Sequence, residues 1–163
     1  MDVPLEQTIG PLLRHRGLKL ATAESCTGGL IADHITNVPG SSEYFLGGVV
    51  AYAYETKDAL LHVSWDTLQL HGAVSRETVI EMARGIRTLL GADIGIGVSG
   101  IAGPGGGTPE NPVGTTWICL SAPDGDWARK FVWDGNRRFN KESSAQAALQ
   151  FVLDYLDKKL ENG

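Results

Sequence analysis

From Thr22 to Gly29 the chain reads Thr-Ala-Glu-Ser-Cys-Thr-Gly-Gly. Glu24, Ser25, Cys26, Thr27, Gly28 and Gly29 set a carboxylate, two hydroxyls, a thiol and two glycines side by side. Glycines let a ligand approach the backbone closely. The first turn of a helix adds unpaired N–H groups that suit an anion. The run is therefore a candidate ligand loop, with Ser25, Thr27, Gly28 and Gly29 as its binding residues. A plain helix entry capped by Ser25 or Thr27 is the alternative.

Ser42, Tyr52 and Lys57 form a second set. A serine is a poor nucleophile unless a base takes its proton. A lysine serves as that base only when burial or a nearby cation lowers its pKa. Tyr52 is placed to relay or orient between the two. The blander alternative makes Ser42 a turn cap, Lys57 a solvated helix residue and Tyr52 an edge aromatic. Cys26 is the rival nucleophile, because a thiol at a helix N-terminus is acidified; a small buried residue is the other reading of it. Ser99 and Gly100 follow a central apolar run, and Arg137 and Arg138 precede the last helix, where an arginine can meet a phosphate or carboxylate. Gly103-Pro104-Gly105-Gly106-Gly107 lacks the Gly-Lys-Ser/Thr of a phosphate-binding P-loop. His15, His34, His62 and His71 have no second His or Cys at ligand spacing, so no metal site is expected.

The elements that must position these groups follow from periodicity. Leu5, Ile9, Leu12 and Leu13 make a helix of residues 4–16, with Pro11 able to kink or split it. A strand is expected over 18–23, a helix over 27–37, a glycine-weakened strand over 46–53, and short helices over 55–61 and 65–70. Ser75 caps a strong helix with Val79, Met82, Ala83, Ile86, Leu89 and Leu90 on one face. A buried strand over 94–98, a long loop over 100–114 and a hairpin of strands 115–121 and 127–133 precede a last helix. The main order, α-β-α-β-α-α-β-β-β-α, predicts an α/β fold: a three-layer α/β/α sandwich with a mixed, mostly parallel sheet of about five strands. In such a sheet the crevice beyond the carboxyl ends of the strands is the usual ligand site.

At 163 residues the length suits one domain, expected over 1–163. Apolar residues at 42% and charged residues at 20% point to a folded chain rather than a disordered one. A net charge of −5 argues against a nucleic-acid surface. Two cysteines are too few for a disulfide framework, and no apolar run reaches the length of about 18 residues that a membrane span needs. A cytoplasmic location is the expectation.

Together, Thr22 to Gly29, Gly40-Ser41-Ser42, Tyr52 with Glu55 and Lys57, His71 to Ser75, Ser99 to Pro104 and Pro112 to Thr115 resemble the CinA C-terminal domain family over residues 5–160. The resemblance implies a CinA-like α/β/α fold and hydrolysis of nicotinamide mononucleotide to nicotinate mononucleotide and ammonia in pyridine-nucleotide salvage. It implies no metal and no cofactor, and a homo-oligomer, a dimer. It implies the stand-alone form, since the molybdopterin-binding-like domain of longer CinA proteins is not in the sequence. By the same resemblance the nucleophile falls on Ser42, with Tyr52 and Lys57 assisting, a hydroxyl on Ser99 and a substrate-binding arginine on Arg137. Three positions depart from the family pattern: Tyr54 for asparagine, Asn136 for aspartate and Lys141 for a second arginine. The reading from another class is a catalytically silent nucleotide-binding domain that regulates a partner.

Overall fold

All five residues of β1 (Leu20–Glu24) are buried, and the sheet is laid around this strand. It pairs in parallel with β2 (Phe45–Val50) on one side and β3 (Ile94–Gly100) on the other. β4 (Thr115–Ala122) runs antiparallel to β3, and β5 (Gly125–Val132) antiparallel to β4. The order is β2-β1-β3-β4-β5 in this computed structural model, which describes residues 2–160. Met1 and residues 161–163, the ends of the expected domain, lie outside the described residues. Four strands point one way and β4 runs against them, so the sheet is mixed as expected, with its pairings divided evenly between parallel and antiparallel.

The helices are α1 (Leu5–Arg16), α2 (Leu30–Thr36), α3 (Tyr54–Leu61), α4 (Trp65–His71), α5 (Arg76–Leu90) and α6 (Arg137–Leu156), with a 3-10 turn over Ser41–Glu43 before β2. α1, α2 and α6 cover one face, where Ile9, Leu13, Ile31, Ile35 and Leu149 meet Leu20, Ile94, Ile96, Val98, Ile118 and Leu120. α3, α4 and α5 cover the other, where Leu61, Leu68, Val79, Met82 and Ile86 meet Ala21, Ala23 and Cys119. The alternation Ile-Gly-Ile-Gly-Val in β3 has a packing cause. The isoleucines fill the first core, while the glycines let α5 lie close on the second face. A Cβ on Gly97 would stand 2.7 Å from Val79 O and 2.9 Å from Ala83 N.

Several boundaries shift from the sequence expectation: β2 ends at Val50 rather than 53, β3 runs on to Gly100 and β5 starts at Gly125, and two further shifts have clear local reasons. Leu18 belongs to the end of α1, not to β1: Gly17 turns left-handed and the Leu18 N–H donates to Leu13 O, which closes the helix. Residues 27–29 are a turn rather than helix, because Gly28 and Gly29 take φ of 63° and 102°. Pro11 sits inside α1 without splitting it. Among the described residues no helix is long and apolar enough to cross a membrane.

Candidate active site

α3 starts four residues after β2 ends, and that short link brings Lys57 back beneath the sheet edge, where it is 1% exposed. Its Nζ donates to Ala51 O at 2.7 Å, Tyr52 O at 3.2 Å and Ser25 Oγ at 2.9 Å. Burial pushes the Lys57 pKa from 10.5 down to about 8, with the neighbouring Cys26 opposing weakly. An ammonium has three protons, and here each has an acceptor. Once one proton is lost, the two carbonyls hold the remaining N–H groups and the lone pair faces Ser25.

Ser25 is placed by the turn out of β1. Its N–H donates to Val98 O, extending the β1–β3 ladder by one bond. Glu24, 1% exposed, accepts from Thr27 Oγ1 at 2.6 Å, Ile31 N at 2.9 Å and Ala32 N at 3.0 Å. The carboxylate thus fills the positive end of α2 from inside and fixes the turn between it and Ser25. The Cys26 N–H, next after Ser25, donates to no other described residue. The Cys26 thiol is buried and its pKa is pushed up to about 12, first by desolvation, so it carries no thiolate near neutral pH.

Ser25, Cys26, Tyr52, Lys57, Ser99 and Arg137 line one cavity of about 250 Å³, closed on its far side by the loop from Ile101 to Gly105. It lies at the carboxyl ends of β1, β2 and β3. Arg137, at the start of α6, donates from Nη1 to Gly103 O at 2.8 Å and from Nη2 to the Tyr52 hydroxyl at 3.3 Å, so one guanidinium spans the mouth. Asn140, 2% exposed, donates to Ala102 O and Gly135 O and accepts from Gly135 N, each at 3.0 Å, and so fastens the loop to the helix.

Of the residues expected from sequence, Ser25, Tyr52, Lys57, Ser99, Gly100 and Arg137 come together. Ser42 does not. It is exposed on the 3-10 turn that enters β2, while Lys57 follows the exit of that strand. Six residues of strand separate the two ends by about 20 Å. The lysine therefore meets Ser25 in place of Ser42. The anion site expected at Thr27-Gly28-Gly29 is also corrected: the Thr27 hydroxyl and the first free N–H groups of α2 are already taken by Glu24. His71 lies apart, 3.6 Å from Glu77. The Ser25–Lys57 pairing and the staple made by Asn140 were missed. A usable signal existed for the first, since Ser25 directly follows β1 and Ser99 lies at the carboxyl end of β3, and the two strands end at the same edge. Among the described residues no cluster of His, Cys, Asp or Glu could hold a metal ion.

Residues 2–156 match the family model of the CinA C-terminal domain. A CinA-like protein of Chloroherpeton thalassium is 51% identical over 160 residues, covering 96% of this chain and 38% of its own length. One from Desulfotalea psychrophila is 50% identical over 152 residues, covering 93% of this chain and 37% of its own. The chain thus spans under two fifths of the length of these curated relatives. Among solved structures, a CinA superfamily protein from Klebsiella pneumoniae superposes with a TM-score of 0.91 at 34% identity, covering 94% of this chain and 96% of that one. The competence/damage inducible protein CihA from Agrobacterium tumefaciens gives 0.90 at 36% identity, covering 96% and 99%.

Proposed function

The chain belongs to the CinA C-terminal domain family, and on that premise we propose that it is an amidohydrolase acting through Ser25 and Lys57. The observation that carries this reading is the 2.9 Å contact of a buried, pKa-lowered lysine with a serine hydroxyl at a cavity wall. With a pKa near 8, about a tenth of the lysine is neutral at pH 7, against well under a thousandth for a free one. Neutral Lys57 takes the Ser25 proton, and Ser25 Oγ attacks the carboxamide carbon. The Cys26 N–H, whose near partner is its own buried thiol, is the donor we assign to the oxyanion. As the C–N bond breaks, the Lys57 ammonium returns its proton to the leaving nitrogen and ammonia departs. Water then attacks the acyl-serine with Lys57 again as base, releasing the acid and restoring Ser25.

The substrate is nicotinamide mononucleotide, hydrolysed to nicotinate mononucleotide within pyridine-nucleotide salvage. The family resemblance supports this choice. So does Arg137, whose guanidinium at the cavity mouth offers a phosphate partner. The cationic pyridinium withdraws electrons from the carbonyl and favours attack. Ammonia release by the purified protein tests the reading. Ser25→Ala and Lys57→Met each lose more than about a hundredfold in kcat/KM, while Cys26→Ala retains most of the activity. A wild-type protein that binds the nucleotide and releases no ammonia contradicts the reading and leaves the silent regulatory domain in its place.

A further inference from the structure

Arg137 is exposed, and an exposed arginine can swing through many rotamers. Here it is held on one. Gly103 O and the Tyr52 hydroxyl take one N–H each, and of the five N–H donors of a guanidinium the other three stay free for an anion. This hold is only as good as the position of Gly103 O. Gly103 lies in the loop after β3, outside any helix or strand, with φ of 90°. The backbone before it is tied at Ile101, to Thr115 and Gly114. What sets Gly103 against α6 is a side chain.

That side chain is Asn140, which is buried and forms no part of the cavity lining. Arg137 and Asn140 stand three residues apart and so lie side by side on α6. They bond adjacent carbonyls of the loop: Asn140 Nδ2 donates to Ala102 O at 3.0 Å, Arg137 Nη1 to Gly103 O at 2.8 Å. Nδ2 also donates to Gly135 O, and Oδ1 accepts from Gly135 N, each at 3.0 Å. One carboxamide thus joins the loop, the entry to α6 and the helix itself. Asn140 continues the buried face made by Ser144, Ala148 and Val152. An apolar residue there would pack as well but leave these backbone groups unpaired. A carboxamide both donates and accepts, whereas a carboxylate only accepts.

We propose that Asn140 is the positioning residue for Arg137: its carboxamide sets the loop at Ala102 and Gly103 against the start of α6, and so fixes the guanidinium where it meets the phosphate of a nucleotide. The inference rests on the reading of Arg137 as the phosphate partner. Its effect falls on binding and not on bond-making, because Ser25 and Lys57 are held by other groups. Ser25 N donates to Val98 O, and Lys57 Nζ donates to Ala51 O and Tyr52 O. The effect also falls on one end of the ligand. A nucleoside that lacks the phosphate makes no use of Arg137 and is indifferent to Asn140.

Calorimetric titration of the full chain, carrying Ser25→Ala to stop turnover, compares nicotinamide mononucleotide with nicotinamide riboside. Asn140→Asp keeps the size of the side chain and loses both donors. It weakens binding of the mononucleotide about tenfold or more, the order of one lost bond to a charged group, and that of the riboside by no more than about twofold. With Arg137→Ala already in place, the same substitution adds less than about twofold for either ligand. In turnover by the otherwise wild-type chain, Asn140→Asp raises KM for the mononucleotide and leaves kcat within about threefold. Asn140→Ala removes the bonds without placing a charge, and carries the same comparisons where the aspartate variant does not fold. Equal losses for the two ligands, a loss that persists without Arg137, or failure of both variants to fold overturns the proposal and leaves Asn140 a structural staple alone. A parent protein that binds the two ligands equally overturns the phosphate reading of Arg137 itself, and the proposal with it. The titrations need no turnover, so they decide the matter whether or not ammonia is released.

Discussion

Lys57 owes its lowered pKa to burial and not to a neighbouring cation; Arg137 bonds Gly103 and Tyr52 instead. Two pH dependences follow. Because the base must be neutral, kcat/KM rises with pH through about 8 and then levels, and Lys57→Arg loses the limb together with the activity. A Lys57→Arg variant with near-normal turnover would make the lysine an electrostatic holder. Stability moves in the same direction. The folded pKa of about 8 lies below the ordinary lysine value of 10.5, so between these pH values the unfolded chain binds more protons than the native one. The native state bears the full cost of the buried charge below pH 8 and sheds it as pH rises toward 10.5, by about 3 kcal/mol in all. In denaturant titrations the unfolding free energy of the wild type, taken relative to Lys57→Met, rises by about that amount across the window. A flat difference would show that the lysine is not desolvated. From sequence, a lysine that must be buried to act as a base was a reasonable inference; the identity of the serine beside it was not, because that depends on which end of β2 each residue occupies.

At the scale of elements, the turn from β1 into α2 is the device that presents Ser25. Glu24 holds it by accepting one hydrogen bond from Thr27 in the turn and two from the following seven-residue helix. Glu24→Ala leaves the buried N–H of Ile31 without a partner and frees that of Ala32. At about 1–3 kcal/mol for each unpaired group, the loss is about 2–4 kcal/mol. Thermal unfolding therefore drops by about 5–15 °C, and Glu24→Gln, which keeps one acceptor oxygen, falls by less. An unchanged Tm would remove the carboxylate from this role. The sequence showed a carboxylate, hydroxyls and glycines at a strand-to-helix turn. It did not show that the carboxylate serves the helix, since a cap three to eight residues away competes with an external ligand for the same N–H groups. Helix α5 was the most legible element: Ser75 caps it by accepting from Thr78 N, and its apolar stripe is the one that packs on Gly95 and Gly97.

Across the whole molecule, the cavity is made where β1, β2 and β3 end together, with α3, the loop after β3 and the start of α6 each contributing one wall. The order of helices and strands and the hairpin of β4 and β5 were readable from periodicity and turn residues. The even split of parallel and antiparallel pairings was less so, because strand direction is set by connections rather than by composition. Convergence at one edge was also readable in outline, since Ser25 and Tyr52 follow strands and Ser99 lies at the end of one. The separation of Ser42 from that edge was not, because motif order along a chain carries no information on which end of a strand faces the crevice. The central claim is that Ser25 forms the covalent intermediate. Its most direct test is to quench the enzyme during turnover of nicotinamide mononucleotide and locate the acyl group by peptide mass spectrometry. The account predicts the added acyl mass on the peptide holding Ser25, absent in Ser25→Ala; the same mass on the peptide holding Ser42, with Ser25 unmodified, would contradict it.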